Sequence, residues 1–310
     1  ASNNVGIGVN ALYTNTTGTS NVAVGKSALQ TNSTASNNTA VGYSALVANT
    51  TGGQNTAVGQ GAGESNTTGV SISAFGRQAL EANTTGDFNT AMGQRALFKN
   101  TTADSNTAVG NHALLENTTG ALQTVVGAYA GDALNTGSEN TAFGYDALGS
   151  DTKGNHSTAL GRSALATQNF TGATDVYNVA VGYKAGLSVT TGIENTIIGG
   201  LAGDALTDAD YNVAVGVYAL SADSKGSKSV AIGRAALAAQ NFTSSTDSFN
   251  TAVGYHAGVV LTTGNNNTLI GGLAGDAITT ATNNTAVGAY SFTQNTTGAS
   301  NVALGVSALG

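Results

Sequence analysis

One glycine column runs the length of this chain. Gly8, Gly25, Gly42, Gly59 and their successors to Gly305 recur every 17 residues, except where two repeats grow to 21. With that glycine as position 5, repeats start at residues 4, 21, 38, 55, 72, 89, 106, 123, 140, 157, 178, 195, 212, 229, 250, 267, 284 and 301. The longer two start at Ser157 and Ser229, and the last is partial. The consensus is N-[TV]-A-[VI]-G-x-x-A-[LG]-x-x-N-T-T-G-x-x. A unit this short cannot enclose a core alone, so it must stack on its neighbours.

The columns indicate how it stacks. Position 2 is β-branched everywhere except Ser73, position 4 is always apolar, and position 8 is Ala everywhere except Ser291. Alternation of this kind predicts a short strand over positions 1 to 5. The fixed glycine then predicts a corner, as at Gly42, Gly59, Gly93 and Gly110, where positive φ or close backbone approach is required. Positions 7 to 9 predict a second short strand, and Asn49–Gly52 a turn. Helix is a poor alternative, because interior Gly costs about 1 kcal/mol relative to Ala. The expectation is an all-β, parallel β-solenoid of about 18 coils, a rod of roughly 80 to 85 Å at ~4.8 Å per coil. Asn38, Asn55, Asn89 and Asn106 at position 1 predict an amide ladder from coil to coil. The position-4 column, Val41 among it, predicts the internal ridge, and Ala45 a spacer where coils pass closely. Ala and Gly bury little area, which predicts that several copies pack side by side.

A longer period lies above the short one. Residues 157–228 and 229–300 are two copies of a four-coil block: GRSALATQNFTGATDVY matches GRAALAAQNFTSSTDSF, and NTIIGGLAGDAL matches NTLIGGLAGDAI. The whole of 1–310 reads as one solenoid domain. Residues 1–122 are the regular array, 123–156 a transition, 157–228 and 229–300 the duplicated blocks, and 301–310 a partial coil.

Composition narrows the function. Charged residues make up 9%, hydrophobics 40%, and there is no Pro, Cys or Trp. That balance argues against disorder, which pairs low hydrophobicity with high charge. Zero Cys removes disulfides and thiolate metal sites. Net charge is −7, and the ten Lys and Arg are spread along the chain. A basic stripe is therefore not expected, nor nucleic-acid binding. No apolar run approaches the length of a membrane span, so this segment is not expected to insert.

The phrase N-[TV]-A-[VI]-G-x-x-A, carried by Asn38, Ala40, Val41, Gly42, Ala45 and their equivalents, resembles the head repeat of YadA-like trimeric autotransporter adhesins. It is also similar to repeat arrays of phage and bacterial tail-fibre proteins. The resemblance covers essentially all of the chain. It implies a left-handed β-roll that trimerises and stands outside a cell or on a virion. The unit here is longer than the adhesin-head unit because of the N-T-T-G turn.

Candidate chemistry is sparse. His112, His156 and His256 fall in different repeats without a recurring Ser-His-Asp grouping, and read as surface residues. Asp132, Asp204 and Asp276 recur 72 residues apart in A-G-D-A, roughly 19 Å along the stack, too far to share a metal or a reaction. Gly59-Gln60-Gly61 lacks the strand-to-helix context of a phosphate loop. No cofactor, metal or catalytic residue is expected. Two features suggest binding or modification. The insertions create loops holding Asn169, Phe170 and Tyr177, and Asn241, Phe242 and Phe249, which offer a partner-binding face or cover a gap between coils. Sequons place candidate glycosylation at Asn15, Asn49, Asn66, Asn83, Asn117, Asn169 and Asn241, whereas the turn sites also read as plain turn chemistry and an Asn/Thr ladder. The leading expectation is a non-enzymatic extracellular structural fibre or adhesin segment. Its partners would be itself, as a trimer or end-to-end filament, and a cell-surface receptor or glycan. An ice-binding solenoid, a glycan-decorated filament subunit and an enzyme built on a solenoid are the alternatives.

Overall fold

The computed structural model describes residues 2–294 and 296–310. It is an all-β parallel solenoid of about 18 coils, with no helix among the described residues. Contacts divide the chain into two compact units: Ala1–Asn155 with Thr171–Thr174, and His156–Phe170 with Asp175–Gly310. The first carries the three-residue strands from Val5–Ile7 to Thr141–Phe143, and the second those from Thr158–Leu160 to Val302–Leu304. Within each unit consecutive strands pair in parallel and in register. Thr39, Ala40 and Val41, for example, lie beside Thr56, Ala57 and Val58.

Strand geometry turns alternate side chains to opposite faces, and here positions 1 and 3 point inward. Ala23, Ala40, Ala57, Ala91 and Ala108 are fully buried, as are Asn38, Asn55, Asn89 and Asn106. Position 4 therefore points outward, and the expected internal ridge is an external one. Val41 and Val58 are half-buried, while Met92 is 45% exposed and Phe143 57%. The buried amides set this direction, since position 1 and position 4 cannot share a face at period 2.

The glycine corner behaves as expected. Gly42 has φ 138°, and a Cβ there would collide with the carbonyl of Gly59 in the next coil. Positions 7 to 9, in contrast, form no strand. They make a turn in which Ser44 (φ 55°) and Leu46 (φ 51°) are left-handed, a conformation that costs a non-glycine residue of order 1 kcal/mol. The turn drives the Leu46 side chain into the core, where it is fully buried. Full burial of a leucine contributes about 1.5–3 kcal/mol, enough to offset that strain.

Two amide ladders hold the coils together. At position 1, the Asn38 backbone N–H donates to Asn21 Oδ1 at 3.0 Å, and Asn38 Nδ2 donates to the Gly52 carbonyl at 3.0 Å. At position 12, Asn49 Nδ2 donates to Asn32 Oδ1 at 3.0 Å and to the Gly52 carbonyl at 2.9 Å. Asn66, Asn83, Asn100 and Asn117 repeat the pattern. The N-T-T-G segment is thus a turn whose asparagine is a core residue. Where Leu134 succeeds Asn117 the ladder stops, and Asn117 Oδ1 is left buried without a partner.

Candidate functional site

The insertions place their aromatics in two different roles. Phe170 and Phe242 fold back under the coils and are each 7% exposed, so they cover gaps between coils. The Phe242 N–H donates to the carboxylate of Asp223 at 3.0 Å. That carboxylate is fully buried. It also accepts from the Gly226 N–H at 3.0 Å and from Gln240 Nε2 at 2.6 Å. Gln240 continues to Ser229 Oγ at 2.9 Å and accepts from Asn250 Nδ2 at 2.9 Å. Such a polar group is tolerated inside because its oxygens are met by donors. The network roots the loop; it is not open to a reactant.

Tyr177 and Phe249 stay exposed, and each has a nitrogen base and a carboxylate beside it. His156 stacks on Tyr177 with centroids 4.9 Å apart, and its Nδ1 lies 3.3 Å from Asp175 Oδ1. In the second copy, Lys228 Nζ sits 5.3 Å from the Phe249 ring and 2.5 Å from Asp247 Oδ2. Asn169 and Asn241 are exposed at these loops, with Asn241 Oδ1 accepting from Ser224 Oγ at 3.3 Å. Asn49, Asn66, Asn83 and Asn117 are fully buried with their amide nitrogens engaged in the ladder, and Asn15 is half-buried. An oligosaccharide on a buried amide is incompatible with this fold, whereas Asn169 and Asn241 have room for one. Asn295 lies outside the described residues.

The recurrent aspartates stand apart from one another, as their spacing requires. Burial pushes the Asp132, Asp204 and Asp276 carboxyls above the usual carboxylate range, and at Asp132 the Asp146 carboxylate adds to the effect. Asp204 Oδ1 and Asp276 Oδ1 are buried without a hydrogen-bond partner. Among the described residues no group of three His, Cys, Asp or Glu side chains is placed to hold a metal ion.

The repeat register reveals something that order along the chain concealed. Positions 6 and 7, just after the glycine corner, hold Lys26, Arg77, Arg95, Arg162, Lys184 and Arg234. These are six cations against one acid, Asp146, a net +5; the rest of the chain holds four cations against sixteen acids, a net −12. The cations are spread along the sequence, yet within each unit they fall at these two repeat positions, which corrects the expectation that no basic stripe exists. Tyr43, Tyr129, Tyr145, Tyr183, Tyr218, Tyr255 and Tyr290 share these columns. Lys26 lies 5.8 Å from the Tyr43 ring, Arg162 5.9 Å from Tyr183, and Arg234 5.9 Å from Tyr255. Two histidines join them. His112 meets Tyr129 edge-on at 5.3 Å, and His256 stacks on Tyr255 at 3.9 Å with Nε2 2.8 Å from Arg234. Counting residue types at each repeat position is the signal that finds these columns.

The fold and its columns place the chain in the class of parallel β-solenoid repeat proteins. No family model, no characterised protein and no solved structure matches it.

Proposed function

We propose that this chain is a non-enzymatic structural repeat segment, an extracellular fibre or adhesin element whose copies associate side by side through the outer face of the strands. One observation carries the reading: the apolar position-4 column on that face. Ile7, Phe75, Met92 and Phe143 are exposed in the first unit, and Ile198, Ile232, Ile270 and Leu304 in the second. Large contiguous apolar surface marks an interaction face, and the faces of sheets pack against one another in this way. The buried polar side chains support the non-enzymatic part of the reading, because the ladders occupy them. A trimer is the assembly we favour, on the resemblance of the repeat phrase. Sedimentation equilibrium tests the proposal. The chain should run as an oligomer, and Val41→Lys with Val109→Lys should give a folded monomer; a wild-type chain that is a stable monomer overturns it.

A second reading rests on a different column. Thr17, Thr34, Thr51, Thr68, Thr85, Thr102 and Thr119 at position 14 are exposed, and none of their side chains makes a hydrogen bond to another of the described residues. Free hydroxyls at ~4.8 Å intervals suit an ice-ordering surface. Measurable thermal hysteresis would favour that reading over the first.

A further inference from the structure

The basic-aromatic columns contain two notches that share an Arg, a Tyr and a Gly. Along position 6 of the second unit the residues run Arg162, Tyr183, Gly200, Val217, Arg234, Tyr255, Gly272, Ala289. Arg162 covers one side of the Tyr183 ring at 5.9 Å and Lys184 flanks it at 5.4 Å. Beyond the ring comes Gly200, where a Cβ would meet nothing within 4 Å. Gly272 beside Tyr255 is equally open. Neither glycine has a left-handed φ, so backbone conformation does not require them. Each removes one rung from a stacked column and leaves a slot floored by backbone. Its walls, Tyr183 and Val217, lie two coils apart, about 9.6 Å at ~4.8 Å per coil. A saturated ring in van der Waals contact with both walls needs roughly 7–8 Å.

The walls and rim select the occupant. Tyr183 is 46% exposed and Tyr255 52%, and a phenol face suits the C–H-rich face of a sugar ring. The rim carries Arg162 with Lys184 in one copy and Arg234 in the other, which favour an anionic substituent. The two copies repeat 72 residues, or four coils, apart, about 19 Å, a spacing for separate rings of one extended chain. The duplicated blocks keep Arg162, Tyr183 and Gly200 as Arg234, Tyr255 and Gly272, while Lys184 becomes His256, Val217 becomes Ala289, and other surface positions diverge as well: Ile193 and Glu194 become Asn265 and Asn266, and Asp208 and Tyr211 become Thr280 and Asn283. Nucleic acid fits less well. Duplex DNA presents a charge every ~1.7 Å, far denser than these cations, and the acidic remainder of the chain repels it.

From this geometry we infer that the Gly200 and Gly272 notches are binding sites for single rings of an acidic polysaccharide, stacked on Tyr183 and Tyr255 and held by Arg162 and Arg234. This assignment is independent of whether the chain forms fibres. Calorimetric titration of the 310-residue chain with uronic-acid oligomers tests it, with neutral dextran oligomers and a duplex DNA as comparisons. The uronate should bind, and dextran and DNA should not. Filling both slots with Gly200→Tyr and Gly272→Tyr removes no existing contact and should weaken binding at least tenfold, as should Tyr183→Ala with Tyr255→Ala, on the scale of two lost aromatic contacts. Arg162→Gln with Arg234→Gln, which leaves both slots open, should lower uronate affinity and flatten its salt dependence. Absence of uronate binding, unchanged affinity in the filled-slot variant with an unchanged circular dichroism spectrum, or preferential binding of DNA would each overturn the assignment.

Discussion

The coils between residues 21 and 122 and those beginning at Gln123, Asn195 and Asn267 share one backbone and differ inside. In the first group most coils have Leu at position 9 and all have Asn at position 12. In the second, position 9 is Gly131, Gly203 or Gly275, position 12 is Leu134, Leu206 or Ile278, and position 3 grows from Ala to Val125, Ile197 or Leu269. The glycine is not there for its φ. Leu46 adopts φ 51° where Gly131 adopts 53°. Volume is the reason: a Cβ on Gly131 would lie 3.0 Å from Leu134 Cδ1, and one on Gly203 2.9 Å from Leu206 Cδ1. The coil with Gly63 shows the same compensation by another route. It keeps Asn66, and the space is taken by the neighbouring coils: an added Cβ would lie 2.9 Å from Leu46 Cδ2 and 3.5 Å from Ile72 Cδ1. One backbone therefore accepts either a core ordered by amide hydrogen bonds or one filled by aliphatic volume. Interior packing density fixes the sum of side-chain volumes, while the amides add direction.

Deleting aliphatic volume should have the largest effect. Leu206→Ala leaves a cavity no neighbouring coil can fill, and should destabilise the second unit by about 2–5 kcal/mol. Hydrogen exchange of amides near Ile197 and Leu220 reads this locally, which matters because solenoids need not unfold as one unit. Asn83→Leu should cost about 2–3 kcal/mol in the first unit, since it crowds Leu80 and deprives Asn66 Oδ1 of its donor. Leu80→Gly added to Asn83→Leu should recover part of that loss, with a coupling of roughly 0.5–3 kcal/mol in a double-mutant cycle. Zero coupling would break the volume argument.

A smaller effect concerns pH. The folded state raises the Asp204 and Asp276 carboxyls, chiefly by burial, so the folded chain holds those protons more tightly than the unfolded one. Their contribution is fully present below the unfolded carboxylate value and is lost as pH rises through the raised folded values. Calorimetric melts across that window should show stability falling with rising pH. Asp204→Asn with Asp276→Asn should flatten the slope. The subtlest difference is in modification. Expressed in a host that glycosylates Asn, the chain should carry sugar at Asn169 and Asn241 and none at Asn49, Asn66, Asn83 or Asn117; intact-mass and peptide mapping check this.

Much of the fold was legible because its signals are columns. The glycine corner, the strand at positions 2 to 4 and the Asn38 ladder all follow from residue type at a fixed position. The second strand at positions 7 to 9 was misread, since Ser44 and Leu46 have no composition that announces a left-handed turn. Pairing of Gly with Leu, and of Leu with Asn, between positions 9 and 12 was present in the sequence and could have revealed that position 12 points inward. The candidate sites were less legible. Phe170 and Tyr177 belong to one insertion, and only packing separates the buried ring from the exposed one. Gly200 looks like any other glycine until its neighbours in the adjoining coils are known.

The sequence by itself determined the coil length, the number of coils, the strand at positions 2 to 4 and the chemistry of each column. Tertiary structure decided direction. Asn38 Oδ1 can accept the next coil's backbone N–H only from inside, which turns positions 1 and 3 inward and commits Val41 to the surface. A column of residue types carries hydrophobicity but no orientation, and orientation here is set by hydrogen bonds between residues 17 apart in the chain.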